Sequence, residues 1–423
     1  MSTDLAIGLD FGTSGARCCV IDAGERVLFA SGCAFAAPRA QTPQDWAAAL
    51  ATVLSALPAT LRARLACMAI CATSGTVLLA DAALQPVGPA LAYFDHRAES
   101  LARDLRHALS APAQVDALAR LLWLWRDAAG APVAHALHQA DWLAALLLGH
   151  APATDWHNAL KTGADVLHAQ WPAAVRALPF GAMLPALKAP GSVLGRIGAQ
   201  AARRHGLPRG VVLRAGTTDS NAAFLATGAH RPGQAVTTLG STLTLKLLSA
   251  RRVDAPAYGV YSHRWGDLWL ASGASNAGGA ALRQMFSDEE LHALSARIDP
   301  EADSPLDLYP LPAAGERFPR HDPAMAPRLT PRPRDDAAYL HGLLQALARI
   351  EACGYGLLAE LGATPATEVL TTGGGTRNPT WTRLRERALG LPVRQAAQTE
   401  AAFGAARLAL HGINALRSGS EGA

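Results

Sequence analysis

The first part of the chain that could do chemistry is a carboxylate set against a glycine-rich turn. Asp10 is followed by Phe11-Gly12-Thr13-Ser14-Gly15, with Arg17 just beyond. Backbone N–H groups and hydroxyls at a turn lacking β-carbons let an anion approach closely, which suits phosphate. Asp10 cannot bind phosphate itself. The useful role of its carboxylate is to hold Mg2+, or its waters, against a triphosphate, while Arg17 adds positive charge. Gly240-Ser241-Thr242 offers a second such turn, and Gly373-Gly374-Gly375 a third, flat enough to receive an adenine-ribose. Asp219 follows Gly216-Thr217-Thr218 and precedes the apolar Ala222-Ala223-Phe224-Leu225. Two roles are open to it: the N-cap of that helix, or a base that takes the proton of a hydroxyl attacking phosphorus.

These turns lie where strands end. Leu5 to Asp10 reads as an apolar strand, Arg17 to Ile21 as its hairpin partner and Val27 to Phe29 as the start of a third, so an antiparallel meander opens the chain. Gln44 to Leu57 has helical periodicity, and Leu65 to Ala72 is a buried strand ending at Thr73-Ser74-Gly75-Thr76, followed by the strand Val77 to Ala80. Ala98 to about His150 reads as helical. Val211 to Arg214 is a strand leading into the Gly216 segment. Ala235 to Leu239 and Leu243 to Leu248 form a second strand-glycine-hydroxyl-strand unit, an echo of the first that suggests two related halves. Proline recurs from Pro305 to Pro333 without periodicity, which predicts an extended excursion over the surface. Val369 to Thr372 is a strand leading into the glycine triplet, Pro379 to Leu389 a helix, and Ala401 to His411 a final helix expected to return to the first domain.

Composition narrows the function classes. With 50% hydrophobic and 17% charged residues among 423, the chain can bury a sizeable core. A net charge of +4, spread along the sequence, gives no basic block for nucleic acid or an anionic membrane. Cys67 and Cys71 are four apart, but no second Cys or His pair completes a zinc site, and the cysteines read as reduced core residues. The N-terminus lacks a signal-type pattern and no apolar run reaches membrane-spanning length, so a cytoplasmic, soluble protein is expected.

Taken in order, Asp10-Phe11-Gly12-Thr13-Ser14, Gly216-Thr217-Thr218-Asp219, Leu239-Gly240-Ser241-Thr242, and Gly373-Gly374-Gly375 with Glu400-Ala401-Ala402-Phe403-Gly404-Ala405-Ala406 resemble the motif set of the FGGY carbohydrate kinases. Thr73-Ser74-Gly75-Thr76-Val77-Leu78-Leu79, Ala140-Asp141-Trp142-Leu143, His157-Asn158-Ala159-Leu160-Lys161 and Tyr309-Pro310-Leu311-Pro312 with Gly315-Glu316-Arg317-Phe318-Pro319 extend the likeness towards the short plant and cyanobacterial pentulose kinases, regarded as D-ribulose kinases. The resemblance implies Asp219 as catalytic base and Asp10, Ser74 and Asp219 at the sugar. It implies Thr13, Ser14, Arg17, Gly240, Ser241, Thr242, Gly373, Gly374 and Asn378 at the nucleotide, and ATP with Mg2+ at Asp10. His157, Asn158 and Lys161 could line the site or belong to a solvated loop. The chain is short for the family, and Arg120 stands where the family often has lysine.

The fold so implied is α/β, a two-domain actin-like ATPase (ribonuclease H-like) architecture with a mixed sheet flanked by helices in each domain and a cleft between them. Residues 1–226 with 400–417 would form the sugar and phosphate side, 227–399 the nucleotide side, and 418–423 a flexible tail. The expected reaction is transfer of the γ-phosphoryl group of ATP to a pentulose, D-ribulose first, with D-xylulose or another polyol as alternatives. The expected partner is a small sugar, with no nucleic acid and no membrane, for a monomer or homodimer. A rival of another class is an actin-like nucleotide-dependent switch or slow ATPase without a sugar acceptor.

Overall fold

Leu5–Phe11, strand β1, is buried along its whole length, as befits a strand covered on both faces rather than one alternating between core and solvent. In this computed structural model, which describes residues 4–109 and 114–416, β1 lies inside a six-stranded sheet. Strands β2 (Gly15–Ile21) and β3 (Val27–Ala34) complete the expected antiparallel meander, and β4 (Leu65–Ala72) runs parallel to β1. Strands β5 (Val77–Ala80), β6 (Pro86–Leu91) and β7 (His135–His138) make a small second sheet in the order β6-β5-β7. Strands β8 (Thr154–Asp155) and β9 (Leu187–Lys188) form a short parallel pair. Strands β10 (Val193–Arg196) and β11 (Val212–Thr218) complete the large sheet, in the order β10-β11-β4-β1-β2-β3.

The chain divides into two compact units, residues 1–228 with 400–423, and residues 229–399. The second unit holds β12 (Gln234–Leu239), β13 (Leu243–Ser249), β14 (Tyr261–Trp265), β15 (Leu268–Ser275), β16 (Glu368–Thr372) and β17 (Val393–Gln395), ordered β14-β15-β13-β12-β16-β17. Its central pairings repeat those of the first unit: β12 with β13 antiparallel as β1 with β2, β13 with β15 as β2 with β3, β12 with β16 parallel as β1 with β4, and β16 with β17 as β4 with β11. The faint echo in sequence is thus a repeated sheet topology.

Helices cover the sheets through apolar faces. Pro43–Ser55 starts with a capping box from Thr42 and Asp45 and buries Trp46, Leu50, Val53 and Leu54. Ala401–His411 packs in the first unit so closely that a Cβ on Gly8 of β1 would lie 2.1 Å from the Ala402 carbonyl, and one on Gly404 would lie 1.8 Å from the Ala222 carbonyl. In the second unit the 25-residue helix Asp336–Glu360 buries Leu340, Leu343, Leu344 and Leu347.

Two segments depart from expectation. The helical stretch from Ala98 is broken by β7, because His135–His138 finds an antiparallel partner in β5, and pairing overrides local preference. Strand β11 runs on past Arg214 to Thr218, with a register shift between Arg214 and Thr217 that marks a bulge. Gly216 therefore lies within the strand: a Cβ there would fall 1.6 Å from the Ile70 carbonyl oxygen of β4. The expected tail, 418–423, lies outside the described residues.

Candidate active site

Three neighbouring parallel strands of the first unit end together. Asp10 on β1 pairs with Cys71 on β4, and Cys71 pairs in turn with Thr217 on β11. Asp219 begins the helix directly after β11, and Ser74 lies in the turn directly after β4. Open α/β sheets bind ligands outside the carboxyl ends of such strands. The strand order therefore brings Asp10, Ser74 and Asp219 to one edge.

Asp10 is 5% exposed. Burial, and then the negative charge of Asp219, push its carboxyl up to about 7; the Cys71 thiol at 3.5 Å and Arg17 pull it down, and Glu400 adds to the rise. Arg17 Nη1 lies 3.6 Å from Asp10 and its Nε 4.0 Å from Glu400. A concentration of oxygen donors partly relieved by one arginine suits a hard cation that keeps waters and phosphate oxygens in its shell. Asp10 fits as the protein carboxylate for such an ion. Among the described residues no group of three or more His, Cys, Asp or Glu forms a closed metal cage.

The capping role left open for Asp219 belongs to Thr218. Thr218 has extended backbone angles, and its hydroxyl accepts the Asn221 N–H at 3.4 Å. Asp219 is the first helical residue, and its Oδ1 accepts the Ser220 N–H at 2.6 Å.

The Ser74 turn is gripped from several directions. Gln139 Oε1 accepts from the Thr73 N–H and hydroxyl, at 3.2 and 2.7 Å, and the Thr73 N–H also meets the Phe11 carbonyl at 3.2 Å. Thr73 and Thr76 share a hydroxyl hydrogen bond of 2.6 Å, and Thr76 Oγ1 accepts the Tyr93 N–H. Arg120, only 8% exposed, donates to the carbonyls of Gly75, Tyr93 and Asp95, and Lys161 reaches the Ser74 carbonyl at 3.5 Å. With its backbone fixed, Ser74 still presents a buried Oγ with no hydrogen-bond partner, and Gln139 Nε2 is likewise unpartnered. Buried polar atoms of this kind mark places where a ligand or water completes the bonding. Beside the turn a cavity of about 450 Å3 is lined by Tyr93, Asp95, Arg103, Arg106, Asp116 and Arg120, among others.

Thr13 Oγ1 lies 3.2 Å from the Tyr93 hydroxyl, linking the phosphate-type turn to the same region, while Ser14 is exposed. His157 and Asn158 are fully buried, not solvated: His157 Nδ1 shares a 2.7 Å hydrogen bond with Thr217, and Asn158 Nδ2 donates to Asp155. Sequence reasoning passed over Tyr93 and Gln139, and it named Glu400 only within a family motif, without a place beside Asp10. The available signal for Tyr93 was an aromatic pair, Tyr93-Phe94, in an otherwise polar connection.

In the second unit the turns after β12 and β16 also share an edge, where Thr238 and Thr372 hydroxyls meet at 2.9 Å. Gly373 has φ 87°, and a Cβ on it would press within 2.6 Å of the Leu239 carbonyl. A Cβ on Gly374 would meet nothing within 4 Å, so its side of the turn is open. Asn378 caps the helix Pro379–Leu389 by accepting the Trp381 N–H at 3.0 Å, and its amide donates to Ser295 at 2.8 Å. That side chain is occupied within the protein.

Arg120→Lys should raise the KM for the acceptor by about tenfold with kcat little changed, since lysine cannot hold three carbonyls in the planar pattern of a guanidinium. Steady-state kinetics with the acceptor varied checks this; an unchanged acceptor KM overturns it.

The sequence and the fold find parallels among known proteins. Residues 235–413 match the C-terminal domain of the FGGY family of carbohydrate kinases. A xylulose kinase of Streptomyces coelicolor is 30% identical over 92% of this chain and 84% of its own. Crystal structures of xylulose kinases from Brucella ovis and Rhodospirillum rubrum superpose with TM-scores of 0.84 and 0.83, each at 24% identity, covering 98% and 99% of this chain and 91% of theirs. The architecture is thus the actin-like ATPase fold, two α/β domains each with a mixed sheet and helices. The chain belongs to the FGGY family of carbohydrate kinases and is an ATP-dependent sugar kinase. Among the described residues no helix is long and apolar enough to cross a membrane.

Proposed function

We propose that the enzyme phosphorylates a pentulose, D-ribulose in the first place, at its terminal hydroxyl, with Asp219 as the base. The supporting observation is the shared strand edge that carries Asp10, Ser74 and Asp219 together with an unpartnered Ser74 hydroxyl. The acceptor O5 forms a bond to the γ-phosphorus, the bond from that phosphorus to the bridging oxygen breaks, ADP leaves, and the O5 proton passes to the Asp219 carboxylate. Ser74 Oγ orients the sugar. Thr13, Ser14 and Arg17 of the first unit and Gly240, Ser241, Thr242, Gly373 and Gly374 of the second hold the nucleotide. Asn378 borders the nucleotide through its place at the helix start. Asp10 would hold Mg2+, which when bound neutralises charge on the phosphates.

D-Ribulose is favoured by the strings around Asp10, Ser74, Lys161 and Glu316 that resemble the short pentulose kinases. D-Xylulose is the second reading, favoured by the name of the Streptomyces coelicolor relative. The two sugars are epimers at C3, so selection between them rests on how one hydroxyl is met. Coupled measurement of ADP release with D-ribulose, D-xylulose, glycerol and no acceptor tests both readings. Strongest stimulation by D-ribulose, with phosphate on O5 by NMR, is expected. Preference for D-xylulose selects the second reading, and a response flat across all acceptors overturns the kinase reading in favour of a nucleotide switch.

A further inference from the structure

We propose that Glu316 is a positioning residue for the nucleotide: through the segment Ser275–Ala280 it sets the orientation of the peptide planes in the Gly240–Thr242 turn. The inference rests on the reading of that turn as a phosphate site and adds the device that aims it.

Glu316 is 2% exposed and sits in the proline-rich excursion. Its Oε2 accepts the Ser275 hydroxyl at 2.6 Å and the Tyr309 hydroxyl at 2.9 Å; its Oε1 accepts the N–H groups of Asn276 at 2.8 Å and Arg317 at 2.9 Å. Both oxygens are thus used, and a buried carboxylate with this many donors is held firmly in one place. The excursion is anchored beside it by Phe318, which is fully buried against two glycines: a Cβ on Gly273 or Gly354 would fall 2.6 or 2.7 Å from its ring.

From Glu316 the bonding passes to the turn. Ser275 Oγ accepts the Ala277 N–H at 3.0 Å, and the Ala277 carbonyl accepts the Leu243 N–H at 2.8 Å. The Gly279 and Ala280 N–H groups then donate to the carbonyls of Gly240 and Ser241, at 2.9 and 3.0 Å. Gly278 permits this approach, because a Cβ on it would lie 2.7 Å from the Ser241 carbonyl. In a trans peptide the C=O and the following N–H point in opposite directions. With the Gly240 and Ser241 carbonyls drawn back onto residues 279–280, the N–H groups of Ser241 and Thr242 face away from the protein segment behind them. That is the orientation an anion requires.

The test compares Glu316→Gln and Gly240→Ala with the wild type, by ADP Kd from calorimetry, by KM for ATP and for the acceptor, and by Tm. The glutamine variant keeps the size of the side chain but replaces one acceptor oxygen with a donor. ADP Kd and KM for ATP are expected to rise by about tenfold or more in Glu316→Gln, with acceptor KM and kcat at saturating ATP within about twofold. Gly240→Ala is expected to weaken ADP as well. If Gly240→Ala weakens ADP and Glu316→Gln does not, the positioning role is overturned while the phosphate turn stands. If Gly240→Ala leaves ADP binding unchanged, the phosphate reading of the turn falls, and the proposal with it. A Glu316→Gln protein whose Tm and kcat drop with ADP Kd unchanged assigns the residue to the fold alone and likewise overturns the proposal.

Discussion

Asp219→Asn should cut kcat by about 10²–10⁴-fold, the range for loss of a positioned base. Tm should change little. The structure makes this a clean experiment, because Thr218 caps the helix and Asp219 is its first helical residue. An asparagine keeps an oxygen for the Ser220 N–H, now met at 2.6 Å, so local structure is retained while proton acceptance is lost. It also removes the second of the causes that raise Asp10, so the Asp10 carboxyl should titrate at lower pH in the variant. ADP Kd should stay within about twofold of wild type, since the loss is confined to the transition state. Near wild-type turnover, measured as product formed per enzyme, would remove Asp219 from the chemistry.

The second large effect concerns stability. Glu351 and Arg385, both 0% exposed, form a bidentate pair at 2.6 and 2.7 Å beneath the edge of the second unit that carries the Gly240 and Gly373 turns. Thr237 donates to Glu351 at 2.5 Å, and Arg385 donates to Thr371 at 2.8 Å, so the pair ties β12 to β16 just before the Gly240 and Gly373 turns. Glu351→Leu strands a buried guanidinium and should cost about 3–5 kcal/mol in urea unfolding. Adding Arg385→Met should return much of that loss, because apolar side chains of similar volume replace buried ion pairs with little penalty. A Glu351→Leu protein as stable as wild type would mean that the pair is not buried as described.

Much of the fold was legible because the determinants were local. The apolar runs at Leu5–Phe11 and Leu65–Ala72, the proline opening Pro379–Leu389 and the amphipathic Ala401–His411 carry their own signals. What was hidden depends on partners distant in sequence. β7 exists through β5, and the length of β11 comes from pairing with β4 at Cys71 and Ala72. At the candidate site, residue types and order pointed to Asp10 and Asp219, the family resemblance added Ser74, and strand adjacency supplied their common edge. The roles of Arg120 and Gln139 were not legible, since a buried guanidinium serving three carbonyls looks in sequence like any helical arginine.

The helix Ala401–His411 closes against Gly8 and against the Asp219 helix, although all of residues 229–399 stand between it and the remainder of its unit. On the ribosome, the half that emerges first is therefore the half finished last. At about 5–20 residues per second, β1 would wait on the order of 20–80 s for its covering helix, with apolar surface open to chaperones or to other nascent chains. The contiguous half can mature in the meantime. The Asp219 helix would thus find its packing partner only after residues 229–399 have been synthesised, so the first unit completes its core behind the second.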